Sequence, residues 1–570
     1  MKNFKRLLPY AVQYKGLMIW LALASLVANA AALAAPSVSG YAIDYIKGAQ
    51  SVNFVMLAKI LAVLAVVYAV NSVCSWVQTA MSNTLAYRMV ESLKKDIFQK
   101  LTKLPISYFD SNSKGDIISR LTNDTDNIGE GILQGITQLF SGAVIIVGTL
   151  VIMLWKSPQI TAVIFFITIL CVFVSKFIAL NSAKMFKIQS ESLGELNGYI
   201  EETISNQKVI KAFSFENRAY DKFAGINKKL YDCGQKAQFF SSLVNPTTRY
   251  INNLAYISVG LIGGILALRS GFSVGSVSAF LIYSTQFARP INDMAGILSQ
   301  LQTASASAKR VFEIADKREE SSDENLPPII RKGGAVSFEN VDFSYVKGRE
   351  LIKNLNFDIK AGENVAIVGP TGCGKTTIVN LLMRFYDVDS GAIKVDGQNI
   401  YEVKRDSLRT SFAMVLQESM LFSGTVKENI AYGKKDASEE EIISAAKKAN
   451  AHSFIKKLEN GYDTYITEGG ENLSQGQRQL ITIARAMLAD PDILILDEAT
   501  SSIDTMTERR IQEAFMELMK EKTAFIIAHR LSTIRECDLI LVMDKGSIVE
   551  QGTHNELIEK KGFYYMLYNS

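Results

Sequence analysis

The chain has 570 residues, 48% of them hydrophobic and 21% charged, with a net charge of +4. That length exceeds one core and fits several domains, and so small a net charge excludes the electrostatic footprint of a nucleic-acid binder, so no nucleic-acid partner is expected. Cys74, Cys171, Cys233, Cys373 and Cys537 form no C-x-x-C pair and no metal-ligand spacing, which excludes a disulfide framework or structural zinc site and predicts reduced thiols.

The first 300 or so residues carry six apolar runs of about 20 residues, each enough to cross roughly 30 Å of hydrocarbon. They fall at about 17–40, 55–78, 132–155, 159–180, 249–268 and 274–298. Ala32-Leu33-Ala34 after a basic leader resembles a signal-peptide cleavage site, but the run is too long for one and reads as a retained span. Lys2, Lys5, Arg6 and Lys15 precede the first run, and the loops after the second and fourth are rich in lysine and arginine. Positive-inside then puts both termini and those two loops in the cytosol.

The two loops, 79–131 and 181–248, are polar with a helical pattern, so spans two to five are expected to continue as helices well beyond the bilayer. Each has a punctuated tip: Pro105, Asp110 and Gly115-Asp116 in the first, and Gly198 to Glu202 leading into Val209–Glu216 in the second. A short amphipathic helix at each tip can plug into a partner domain, and Phe213 and Phe215 favour that over a solvated hairpin. In the sixth run Phe280, Tyr283 and Phe287 recur at helical spacing, before Arg289, Pro290 and Asp293. This stripe reads either as interhelical packing or as a cargo wall, and Arg289 and Asp293 stand at i,i+4, where they can pair. Asn252, Asn253 and Tyr256 in the fifth run are similar candidates.

Residues 316–334 are charged, contain Pro327-Pro328 and lack an apolar period, which reads as a linker. From Ala335 onward the pattern becomes short strands. Gly369-Pro370-Thr371-Gly372-Cys373-Gly374-Lys375-Thr376-Thr377 matches G-x-x-x-x-G-K-[ST], between a buried strand (363–368) and a helical stretch (378–383). In that context backbone N–H groups and a helix N-terminus converge on phosphate oxygens, Lys375 supplies charge to the outer phosphates, and Thr376 an oxygen for Mg²⁺. Four features follow in order. Gln417 closes an apolar strand, Leu473–Gln477 starts a long helix, 493–498 is an apolar strand ending in Asp497 and Glu498, and 524–529 is another ending in His529. Beside a triphosphate, Asp497 suits Mg²⁺, Glu498 is free to polarise the attacking water, and His529 can bond a γ-phosphate oxygen. Gln417 can touch the metal or the water.

In this order these residues resemble those of the ABC transporter ATPases. Almost the whole chain resembles a half-transporter exporter, in particular the catalytically intact subunit of a heterodimeric bacterial multidrug exporter. The resemblance implies ATP and Mg²⁺ as cofactors, Tyr345 stacked on adenine, and Leu473–Gln477 as the signature, with Ser474, Gly476 and Gln477 toward nucleotide. It implies Gln417 as the Q-loop, Glu498 as catalytic base, His529 as the switch, and coupling helices at the two loop tips. The expected fold is multidomain: an α-helical transmembrane bundle of six spans with long cytosolic extensions (1–315), a linker (316–334) and an α/β P-loop ATPase domain (335–570). The expected activity is ATP-driven, multidrug-type export of amphipathic compounds by alternating access, across the cytoplasmic membrane of a prokaryote. A lipid flippase or peptide exporter with the same motor is the alternative. A soluble ABC ATPase is excluded by the spans, and an importer subunit by the fusion of membrane and ATPase parts.

The signature departs from the usual Leu-Ser-Gly-Gly-Gln, because its third position is Gln475. Glycine there lets the backbone approach the γ-phosphate held by the opposite protomer, an approach glutamine should weaken. With Lys375, Asp497, Glu498 and His529 intact, the asymmetry points to a second, different half-transporter as partner; a homodimer is the competing arrangement. Glu498→Gln is expected to keep ATP binding while slowing turnover at least about a hundredfold, the scale of a lost general base. Near-normal turnover in a steady-state ATPase assay would show that another group takes the proton.

Overall fold

A computed structural model describes residues 6–46, 52–346, 348–416, 419–497, 505–527 and 534–569. They form two compact units. One comprises Met1–Lys103 and Ser113–Arg318, the other Leu104–Asn112 and Glu319–Ser570.

The first unit is helical. Among the described residues five helices are long and apolar enough to cross a membrane: Lys15–Asp44, Phe54–Leu101, Lys114–Lys156, Pro158–Ser205 and Glu216–Arg269. The longest run about 70–80 Å at 1.5 Å per residue, more than twice a bilayer's hydrocarbon thickness. The sixth expected span falls in Val274–Ala315, a helix of 42 residues. It is long enough but is not among those five, because Gln286, Arg289, Asn292 and Asp293 interrupt its apolar run. Local chemistry sets the helix ends. Asn53 and Ser273 accept from the backbone N–H groups of Met56 and Ser276, Pro158 opens its helix where no N–H is needed, and Gly271 stops the preceding one at φ 68°.

Helices Lys15–Asp44 and Val274–Ala315 touch backbone to backbone. A Cβ added at Gly275 would lie 1.9 Å from the Gly40 carbonyl oxygen, and the Gly275 N–H donates to Asp44 at 2.8 Å. Small residues at such crossings let helices pack where lipid supplies no hydrophobic drive. Close by, the Tyr283 hydroxyl donates to the Leu33 carbonyl at 2.7 Å. Phe280, Tyr283 and Phe287 are at most 3% exposed and pack with Met153, Ile160, Ile164 and Val259. Of the two readings of the aromatic stripe, interhelical packing is the one observed.

In the second unit, strands β1 (Val336–Phe343), β2 (Ile352–Ile359), β4 (Ser390–Val395) and β5 (Gln398–Asn399) make an antiparallel sheet in the order β2-β1-β4-β5. Strands β3 (Asn364–Val368), β6 (Phe412–Val415), β9 (Ile493–Asp497), β10 (Thr523–Ile527), β11 (Leu539–Asp544) and β12 (Ser547–Gly552) make a second sheet, β12-β11-β3-β10-β9-β6, parallel except at β12. The short strands β7 (Gly424–Thr425) and β8 (Tyr465–Ile466) pair antiparallel by themselves. Near-continuous apolar runs in β3, β9 and β10 are what a parallel sheet buried on both faces requires. Phe338 and Phe357 stack at 4.5 Å in the core between the sheets.

Composition reads 316–334 as a linker, and from Glu319 onward this stretch belongs to the ATPase unit and is tied to it at several points. Arg409 donates to Glu320 at 3.2 Å, Arg405 to the Ser321 carbonyl at 2.6 Å, and Arg331 to both carboxylate oxygens of Asp492. Arg405 is only 6% exposed, so removing its linker acceptors would leave a buried cation short of partners. All five cysteines are free thiols.

Gly275→Ala is expected to lower the full chain's thermal unfolding midpoint in detergent by several degrees. Gly264→Ala, where an added Cβ meets nothing within 4 Å, should leave it unchanged. Equal midpoints for the two variants would show that the helix crossing tolerates separation.

Candidate functional site

Strand β3 passes through Gly369–Gly374 into helix Lys375–Leu382. Gly372 and Gly374 hold φ of 83° and 109°, a region only glycine enters without strain. A Cβ at Gly369 would sit 2.3 Å from the Met543 carbonyl oxygen, so that position admits no side chain. The Lys375 ammonium donates to the carbonyls of Gly369 at 2.8 Å and Pro370 at 3.1 Å, which poises it over the loop. Thr376 faces solvent at the mouth, while Thr377 is 5% exposed. Cys373 is buried at 3%, and burial pushes its thiol up from the ordinary value, so it is a packing residue rather than a thiolate.

The parallel register aligns the strand ends that carry the remaining candidates. Ile527 of β10 stands opposite both Ile367 of β3 and Asp497 of β9, and Val415 of β6 opposite Leu496. The phosphate loop and the Asp497 carboxylate therefore leave one edge of one sheet, the position at which open α/β sheets bind ligands. Gln417, Glu498 and His529 lie outside the described residues, as does the 501–504 stretch. In the chain Glu498 directly follows Asp497, while Gln417 and His529 follow the ends of β6 and β10 by two residues.

Tyr345 lies two residues beyond β1 and is 45% exposed. Its hydroxyl donates to Thr377 Oγ1 at 3.3 Å and accepts from Asn380 Nδ2 at 3.1 Å, which fixes the ring against the phosphate-loop helix. Sequence reasoning missed the neighbour. Tyr386 meets the Tyr345 ring edge-on at 4.9 Å, and its hydroxyl donates to Asp110 at 2.6 Å. Only its place just beyond the phosphate-loop helix hinted at this.

Leu473 is buried, and Ser474 caps helix Gln475–Ala489 in a reciprocal capping box with Gln477. Gln475 takes the first helical position, and its backbone has no positive φ. The departure from glycine therefore strains nothing in this chain. What it adds is a side chain beside the buried Gly476.

The helical unit holds a cavity of about 1020 Å³ whose lining combines apolar residues such as Leu133, Ile146 and Met294 with the amides of Gln78, Asn83, Gln134 and Gln286 and with Arg289 and Asp293. The Oε1 atoms of Gln134 and Gln286 are buried without a hydrogen-bond partner. Arg289 and Asp293 do not pair with each other, contrary to their i,i+4 spacing; both are exposed to the cavity. Asn252, Asn253 and Tyr256 are not among its lining residues.

The chain is 43% identical to the uncharacterised ABC transporter ATP-binding protein YfiC of Bacillus subtilis (strain 168), over all of this chain and 94% of that one. It belongs to the ABC transporter family. Residues 18–291 match the family described as ABC transporter transmembrane region and residues 352–501 the family described as ABC transporter. A fatty acid ABC transporter ATP-binding/permease protein of Mycobacterium tuberculosis (strain CDC 1551 / Oshkosh) is 42% identical over 91% of this chain and 82% of its own length. An ATP-dependent lipid A-core flippase of Syntrophus aciditrophicus (strain SB) is 35% identical over all of this chain and 94% of its own. The solved structure of a bacterial Atm1-family ABC exporter with ATP bound superposes with a TM-score of 0.78 at 28% identity, covering 97% of this chain and 98% of that one. This ABC transporter is thus a half-transporter exporter that couples ATP hydrolysis to transport, and its ATPase domain takes ATP with Mg²⁺. The glycine geometry and the poised Lys375 fit a triphosphate; Thr376 and Asp497 would hold the metal, which supplies charge against the phosphate oxygens.

Proposed function

We propose that this chain is one half of an exporter that moves a lipid-like amphiphile with an anionic head group across the cytoplasmic membrane. The observation that carries the reading is the partly amide-lined cavity with an Arg289 that has no ion-pair partner among the described residues. A guanidinium is always charged and presents a planar fork that suits carboxylate or phosphate oxygens. The unpartnered Gln134 and Gln286 oxygens, with Asp293 one turn on, suit hydroxyl or ammonium donors on the same head group. The names of the fatty acid and lipid A relatives support this direction. Multidrug-type efflux keeps the family resemblance as support, since the aromatic stripe, for which a cargo wall is one of two readings, is buried in helix packing.

In this account residues 1–315 form the membrane domain, 316–334 join it to the ATPase domain at 335–570, and Val274–Ala315 crosses the membrane with the other five. Both termini and the ATPase domain lie in the cytosol. Tyr345 receives the base, and the 369–377 loop, with Lys375, holds the phosphates. Thr376, Asp497 and Gln417 surround the metal. Glu498 takes the proton from the attacking water, and His529 bonds the γ-phosphate. Ser474, Gly476 and Gln477 reach the nucleotide held by a second half-transporter. Contacts that exist only while the γ-phosphate is present favour the closed dimer, and hydrolysis removes that bias.

Arg289→Gln should abolish the stimulation of ATPase activity by anionic single-chain lipids in vesicles, with basal turnover retained. Stimulation by cationic amphipathic drugs alone, indifferent to Arg289, would overturn the anionic-cargo reading. We further propose that the partner is not a copy of this chain, because Gln475 adds bulk where the partner's nucleotide must approach while Lys375, Asp497, Glu498 and His529 are intact. The chain purified alone should then show weak ATPase activity that rises severalfold with its sister subunit. Robust cargo-stimulated turnover by the lone chain would establish a homodimer.

A further inference from the structure

Segment 104–112 sits in the first long loop between two membrane helices, yet it belongs to the compact unit that holds the ATPase domain. Pro105 opens a short helix, Ile106–Ser111; Tyr108 within it and Leu104 just before it are 8% and 5% exposed. Asp110 projects from it to accept the Tyr386 hydroxyl. Behind Tyr386 the contacts continue without a gap. Its ring meets Tyr345 at 4.9 Å and 90°, and Phe343 at 5.8 Å. The Tyr345 hydroxyl is in turn bound to Thr377 and Asn380 of the phosphate-loop helix. The path from the phosphate loop to the membrane-domain segment thus has three side-chain links, all within one unit.

We infer that Tyr386 is a positioning residue that transmits occupancy of the base site to segment 104–112. The inference rests on the reading of Tyr345 as the base platform. A base stacked on the open face of Tyr345 restricts that ring. A Tyr386 ring packed edge-on against it then loses the freedom to swing from Asp110. The hydroxyl is suited to a lasting donor role. Burial, with the Asp110 carboxylate as second cause, holds its pKa above the ordinary tyrosine value, so it stays protonated at any physiological pH. The segment is joined in the chain to helix Phe54–Leu101 on one side and Lys114–Lys156 on the other, so ordering it constrains the cytosolic ends of two membrane helices. A surface hydrogen bond with no such role would stay indifferent to nucleotide.

Hydrogen–deuterium exchange on the full chain with its partner in lipid nanodiscs, with and without Mg-ATPγS, separates these cases. Nucleotide should slow exchange in 104–112 at least about threefold. Tyr386→Phe keeps the ring and removes only the hydroxyl; it should abolish that slowing while leaving nucleotide-free exchange and the unfolding midpoint unchanged. Asp110→Ala should do the same, and Asp110→Asn, which retains an acceptor, should restore part of it. Full nucleotide-dependent protection in Tyr386→Phe, or none in the native chain, would overturn the inference. Tyr345→Ala tests the underlying reading separately, because it should weaken fluorescent-ATP binding at least tenfold. Unchanged affinity there would remove the base platform, whatever Tyr386 does.

Discussion

Strand β3 hands the chain to a helix N-terminus through a loop in which side chains are excluded by conformation at Gly372 and Gly374 and by contact at Gly369. Asp497 and Tyr345, among the described residues, are placed relative to that loop. Parallel pairing with β10, and of β10 with β9, brings Asp497 level with Ile367, so a metal-binding carboxylate leaves the sheet beside the phosphate cradle. A shift of one residue in either pairing would turn Asp497 to the other face of the sheet. The apolar, nearly alternation-free sequences of β3, β9 and β10 hold the register by burial on both faces.

The same loop is linked outward along two routes. Through Thr377 and Asn380 it holds Tyr345, and beyond that Tyr386 and Asp110. Through β9 it is connected to Asp492, which binds Arg331 of the charged stretch before β1. Both routes lead to chain that continues into membrane helices, which is what a nucleotide-driven exporter requires of its motor domain. In the membrane unit Asp44 is paired with the Gly275 N–H, while Arg289 and Asp293 are gathered at one cavity.

The phosphate loop, the strand ending in Asp497 and the helix start at Leu473–Gln477 were legible because their chemistry is local. Each depends on residue types at fixed spacing along a few turns of chain. What stayed hidden depends on distant partners. Charge and proline mark 316–334 as a linker, but composition does not reveal Arg405 and Arg409, which meet it from about 85 residues away. Helical spacing allowed Arg289 to pair with Asp293 but could not say that both open onto a cavity. An aromatic stripe has the same period whether it faces cargo or the neighbouring helices, and Phe280, Tyr283 and Phe287 face helices. Gln475 looked like a backbone problem until its place in the first helical turn showed an unstrained one.

The central claim, that the phosphate loop powers movement of an anionic amphiphile, is tested most directly by transport itself. A fluorescently labelled acyl carboxylate lipid in proteoliposomes containing the chain and its partner should change leaflet at least severalfold faster with Mg-ATP than with Mg-ADP. Equal rates with the two nucleotides, while ATP is being hydrolysed, would contradict the account.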